Sequence, residues 1–195
     1  MHRIYLLFAI VFLLVIGMIG YFSLRSPYSF NRDHTAVVKE IRELNRLESA
    51  TFTIEKIIEG GKDGNVLQDL LYGDRILFIA HGEVIAGVDL SSIADDAIKI
   101  EGKKLTVQLP KPEIFFVALN NEKSRVYDRQ QGILNRGDKD LEGETRKVAE
   151  ESIRKAACEA NILNISGENA KKQLTKLFTA LAFEDVTVQV PQGSC

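Results

Sequence analysis

The first pattern along the chain is an unbroken apolar run. Ile4 to Phe22 gives 19 consecutive residues with no charge and no Asn, Gln, Pro or His. As a helix at about 1.5 Å per residue it spans roughly 28 Å, close to a hydrocarbon core of about 30 Å. Tyr5 lies near one end, and Tyr21, Phe22, Tyr28 and Phe30 near the other, as aromatic anchors at headgroup level would. Gly17 and Gly20 are three apart and do not form a GxxxG face. A cleaved signal peptide is the rival reading. Its apolar core is typically only about 7–15 residues, with a small-x-small site after it. Here Ser23-Leu24-Arg25-Ser26-Pro27 follows. The run therefore reads as a lasting single transmembrane helix, with residues 1–26 as anchor and flanks and 27–33 as linker.

Beyond the linker the period changes. Val37, Ile41 and Leu44 share one face of a helix that Asp33 or Thr35 can cap. Ala50, Phe52, Ile54 and Ile58 alternate with Thr51, Thr53 and Glu55 as a half-buried strand. Val66, Leu67, Leu70 and Leu71 make a short helical segment that Gly73 can end. The stretches 75–80 and 83–90 read as a hairpin turning at His81-Gly82. A second hairpin turns at Gly102-Lys103, with Leu105, Val107 and Leu109 on one face, before Pro110 and Pro112 interrupt it. The continuously apolar 114–119 reads as a central strand, followed by a turn at Asn120-Asn121.

From Asp140 the spacing is helical, through Leu141, Val148, Ala149, Ile153, Ala156, Ala157 and Ala160. Ser166 can cap a second helix carrying Ala170, Leu174, Leu177, Phe178 and Leu181. Val186, Val188 and Val190 alternate as a last strand. Strands followed by helices predict an α+β domain over 34–190: a mostly antiparallel sheet covered on one face by helices. Residues 191–195 read as a loose tail.

Composition narrows the function classes. The 195 residues are 45% apolar and 27% charged, which suits a globular domain. Two cysteines and three histidines exclude a disulfide mini-protein and a histidine-rich metal cage. A formal charge of −2 carries no nucleic-acid footprint. Without Arg3 and Arg25 the remainder has 23 basic and 27 acidic residues, so it should not cling to an anionic bilayer. Orientation is divided. Arg25 and Arg32 slightly favour a cytoplasmic C-terminal side, whereas the short Met-His-Arg head fits a signal-anchor that leaves the bulk outside. The outward reading is preferred.

The candidate chemistry is sparse. Asp138, Asp140 and Glu142, followed by Gly143, imitate the start of a calcium loop, where alternating oxygens converge on one ion. The acid required at position twelve falls on Ala149, and the bland alternative is acids at a helix start. Ser152 and Lys155 have the Ser-x-x-Lys spacing that brings an amine to a hydroxyl on a helix, without a companion motif. Asp89, at a strand end, is either a polar group in a cleft or a cap for the turn at 91–95. Cys158 has no His near it in sequence and reads as a half-buried thiol, with a bridge to Cys195 open to it outside the cell. His81 and His34 read as isolated and solvent-facing, and Arg136-Gly137-Asp138 as a chance triplet. Phosphate loops and GxSxG are absent. No cofactor is implied.

Leu47-Glu48-Ser49-Ala50-Thr51-Phe52, the stretch 82–93, Leu109-Pro110-Lys111-Pro112-Glu113-Ile114 and the closing helices with Val186-Thr187-Val188 carry a resemblance. Over residues 34–190 the chain resembles the bacterial domain-of-unknown-function family 4230. The resemblance implies a membrane-anchored bacterial protein facing outward, with Gly82, Gly87, Asp89, Leu109 and Pro110 as fold-defining positions. It brings no activity, cofactor or catalytic residue.

The expectation from these readings is a non-enzymatic module of the cell envelope. It would be tethered to the plasma membrane through Ile4–Phe22 and would bind or scaffold an envelope protein or itself. The alternatives are a hydrolase using Ser152 and Lys155 or the Asp89 region, and a small-ligand or ion sensor using the acidic loop 138–144.

Overall fold

The computed structural model describes residues 34–61 and 65–195, together with positions 15, 16 and 18. The expected transmembrane helix and linker otherwise lie outside the described residues. Among those, no helix is long and apolar enough to cross a membrane. The chain divides into a unit at 1–33 and a compact unit at 34–195, the α+β domain described below.

The frame of the domain is a long antiparallel pair. β1 (Arg46–Gly61) and β2 (Asp74–Asp89) are both 16 residues and pair from Arg46↔Asp89 to Gly61↔Arg75. At about 3.3 Å per residue each is an arm of roughly 50 Å. β2 corrects the expected hairpin at His81-Gly82, because it runs straight through. Its even positions 76 to 88 are buried without a slip of phase, so one face of a single strand enters the core. Gly82 is present for a packing reason: a Cβ there would stand 2.5 Å from Ile153 Cδ1.

β5 (Glu113–Leu119) and β6 (Arg125–Gln131) share the other edge of β2, along 82–87 and 74–79 respectively. The expected central strand at 114–119 is therefore an edge strand, and β2 is central. Asn120–Ser124 does not reverse the chain; it bulges opposite His81. Asn120 N donates to His81 O, and His81 N donates to Ser124 Oγ at 3.0 Å.

A second sheet corrects the single-sheet expectation. β3 (Ile98–Glu101) and β4 (Lys104–Gln108) form the hairpin read at Gly102, whose φ of +61° suits glycine. β7 (Asp185–Gln189) joins β4 in parallel. Leu105, Val107 and Val188 meet the helix α1 (His34–Glu43) through Val37, Val38 and Ile41 in one core. Leu44, expected on that face, is exposed and Val38 replaces it. Arg42 fixes α1 by donating to Ile93 O through Nε and Nη2.

Helices cover one face of the larger sheet, as expected. α3 (Leu141–Glu159) buries Leu141, Thr145, Ala149, Ile153 and Ala157, one residue per turn. Val148 and Ala160 of the expected face are exposed. α4 (Ile162–Ala180) begins four residues before Ser166, at a left-handed Asn161. Ser166 is thus no cap. It is fully buried mid-helix, where its Oγ lies 3.0 Å from Ser49 Oγ. Ser49 is the unpaired residue of a β1 bulge, and Asn169 Nδ2 donates to its carbonyl at 2.9 Å. α4 spans both cores, with Ile162 and Leu163 in one and Leu174 and Phe178 in the other.

The tail expected to be loose is pinned. Cys195 is disulfide-bonded to Cys158, and Gly193 N donates to Asn164 Oδ1 at 3.2 Å.

Candidate functional site

The arm formed by β1 and β2 ends in α2 (Val66–Tyr72), which lies in their connection. Asn65 caps it by accepting from Gln68 N, and Gly73 closes it with a bond to Asp69 O. Gly73 has extended φ and ψ, so its use is space: a Cβ would strike the backbone of Asp69. A seven-residue helix is too short to hold itself in water. Its support comes from 132–135. Gly132 N donates to Gly73 O, Ile133 N to Leu70 O, Leu134 N to Leu71 O, and Asn135 Nδ2 to Tyr72 O.

This support leaves several apolar side chains of α2 exposed. Leu67 is 72% exposed, and Leu70, Leu71 and Tyr72 are exposed too. On the adjoining segment Ile133 is 77% exposed and Leu134 more than half. Together these side chains present on the order of 600 Å² of apolar surface, at the upper end of what monomers leave open. We refer to this surface as the platform.

Beside it runs a groove of about 560 Å³ between α2 and α3. Glycines 60, 61 and 73 line it without side chains. At Gly60, Thr145 of α3 already occupies the place a Cβ would take, so the helix sits close to the strand. Tyr72 on one wall and Val148 on the other are apolar shoulders. Glu59, Asp69, Asp74, Asp138 and Glu144 also line the groove, and among the described residues no lysine or arginine does. Arg75 reaches Asp69 at 2.9 Å and Glu59 at 3.8 Å from outside the lining. Glu144 has no cationic partner among the described residues.

Asp74 is built in firmly. It is 9% exposed and accepts from Arg129 Nε at 3.0 Å, Arg129 Nη2 at 2.7 Å and Asp138 N at 2.6 Å. The Arg129 hydrogen bonds, outweighing the effect of burial, hold its carboxyl below the usual carboxylate range, and Arg129 is correspondingly raised. Sequence reading missed Asp74. Its partner lies 55 residues away, and no local pattern reveals such a pair.

The sequence candidates do not assemble. Asp138 Oδ1 accepts from Asp140 N, while Glu142 is already on α3 and takes hydrogen bonds from Arg146 Nε and Nη2. The helix starts at Leu141, which carries the third carboxylate away from a loop geometry. Among the described residues no three His, Cys, Asp or Glu side chains meet in a metal-holding group. No hydrogen bond joins Ser152 to Lys155, whose ammonium instead lies 4.0 Å from Glu159. Asp89 caps the 3₁₀ turn at Leu90–Ser92 by accepting from Ser91 N and Oγ, the bland reading of that residue. His81 is not a solvent-facing hairpin tip; its Nε2 lies 3.2 Å from Glu55 Oε2 across the strand pair. Arg136-Gly137-Asp138 is part of the bend that closes on Asp74, with Gly137 at φ +83°.

Residues 39–188 match the family model described as protein of unknown function (DUF4230). The chain belongs to that family. The match takes in every element of the DUF4230 domain from within α1 to within β7, including the arm, the platform and both covering helices. Comparison with curated proteins and with solved structures returned no match.

Proposed function

We propose that this DUF4230 chain is a membrane-tethered binding or scaffolding module of the bacterial cell envelope, anchored through Ile4–Phe22, with its domain outside the cytoplasm. The observation that carries the binding role is the platform: α2 holds four exposed apolar side chains and spends its hydrogen bonds on presenting them. An apolar patch at the upper end of what monomers leave open is the kind of surface that interaction sites use.

Two facts support the tether and its side. The 19-residue apolar run has the length of a bilayer span. The Cys158–Cys195 disulfide belongs to an oxidising compartment. The non-catalytic reading rests on the dispersal of Ser152, Lys155 and Asp89 into separate structural tasks.

The test is carbonate extraction of membranes, with protease added to intact spheroplasts. A chain that stays with lipid, begins at Met1 and loses its domain to external protease fits the proposal. A mature chain beginning beyond Ser26 and floating free of lipid would refute it.

A further inference from the structure

We propose that the platform and the groove beside it dock one kind of partner: a protein segment carrying apolar side chains next to lysine or arginine. This rests on the binding-module reading and names the chemistry that the module accepts.

The argument begins with α2. A two-turn helix that leaves Leu67, Leu70 and Tyr72 more than half exposed presents a surface for a partner to cover, since burying apolar area of this extent is favourable. The neighbouring groove supplies the second criterion. It shares Tyr72 with the platform, so one ligand can touch both. Among the described residues its lining carries five carboxylates and no cation, and Glu144 has no ion pair there. Arg75, beside Glu59 and Asp69, and Arg129, beside Asp74 and Asp138, bring two positive charges from outside against the five, which leaves the described lining negative. An anionic or purely apolar segment would desolvate these groups without return, whereas a cationic side chain would satisfy them.

Charge also disfavours a self-complementary contact between two copies, because it would bring two acidic grooves together. A bilayer is disfavoured by the same carboxylates where its surface is anionic.

The experiment uses the full chain in zwitterionic nanodiscs, with empty discs subtracted. Two fluorescent hexapeptides serve as probes, one alternating leucine with lysine and the other leucine with glutamate. Binding is read by anisotropy and located by amide hydrogen exchange. The expected result is saturable binding of the lysine peptide, at least tenfold tighter than the glutamate peptide. Exchange should slow in 67–72 and 132–134. Leu70→Asp and Glu144→Lys, both surface changes, should each weaken binding at least fivefold while the far-UV spectrum and melting temperature hold. Four results would overturn the proposal: equal binding of both peptides, a signal no greater than empty discs, variants without effect, or platform exchange already slowed by chain concentration or lipid alone. A chain that fails to enter discs refutes the tether instead; the same titration on the free chain then decides the docking.

Discussion

Asp74, the first residue of β2, receives Nε and Nη2 of Arg129 from β6 at 3.0 and 2.7 Å, and its Oδ2 also accepts from Asp138 N. One carboxylate thus ties together the start of a central strand, its edge neighbour and the bend before α3. The platform and the groove hang from this point.

Replacing Asp74 with Asn should destabilise the domain by about 2 kcal/mol at neutral pH, since charge-assisted bonds to a buried carboxylate are lost. The pH dependence follows from the lowered carboxyl. A group whose folded pKa lies below its unfolded value stabilises fully above the latter, about 3.9 for Asp, and loses that contribution as pH falls through the folded value. The melting-temperature gap between wild type and Asp74→Asn should be steady from pH 5 to pH 8 and narrow below about pH 4. Thermal unfolding followed by circular dichroism across that range checks it. A gap that widens on acidification would contradict the assignment.

Gly82→Ala should cost about 1–3 kcal/mol, because its methyl would meet Ile153 in a filled core. Ile153→Val removes the nearest atom, so the double variant should recover part of the loss. A double-mutant cycle in urea measures the coupling, and strict additivity would show that helix and strand do not meet there.

The disulfide closes over a sequence separation of 37 residues, for which chain entropy sets a ceiling of about 4 kcal/mol. For a domain of this size, Cys158→Ser should lower the melting temperature by about 10 °C. A reductant should bring the wild type to the same temperature and leave the variant unmoved. Calorimetry with and without reductant is the check.

The platform behaves oppositely. Leu67→Asp with Leu70→Asp should change stability by no more than about 0.5 kcal/mol, since both side chains are exposed. Binding of an apolar dye should fall. Denaturant unfolding and dye fluorescence test the two halves. A loss above about 2 kcal/mol would mean that these leucines pack inside the folded chain.

What the sequence made legible was mostly periodic. β1, the β3–β4 hairpin and α3 follow from alternation or helical spacing, because each buries one face. His81-Gly82 misled because turn residues outweighed phase. The even-numbered face from Ile76 to Val88 crosses it unbroken, and that continuity was the better signal. Ser166 looked like a cap because small polar residues favour helix starts. It is buried instead to reach the bulged Ser49, a contact 117 residues away in sequence. The edge position of β5 and the parallel pairing of β7 are also long-range facts. The candidate site was hidden for a related reason. Leu67, Leu70 and Leu71 read as a helix face, and local pattern does not say whether such a face meets its own core.

The most direct test of the platform as the working surface is site-specific photo-crosslinking in intact cells. p-Benzoylphenylalanine is placed in the full chain at Leu70 or, as a control, at the exposed Lys172 of α4. The account expects a discrete protein adduct from the Leu70 position and none from Lys172. No adduct at Leu70, or the same adduct from both positions, would contradict it.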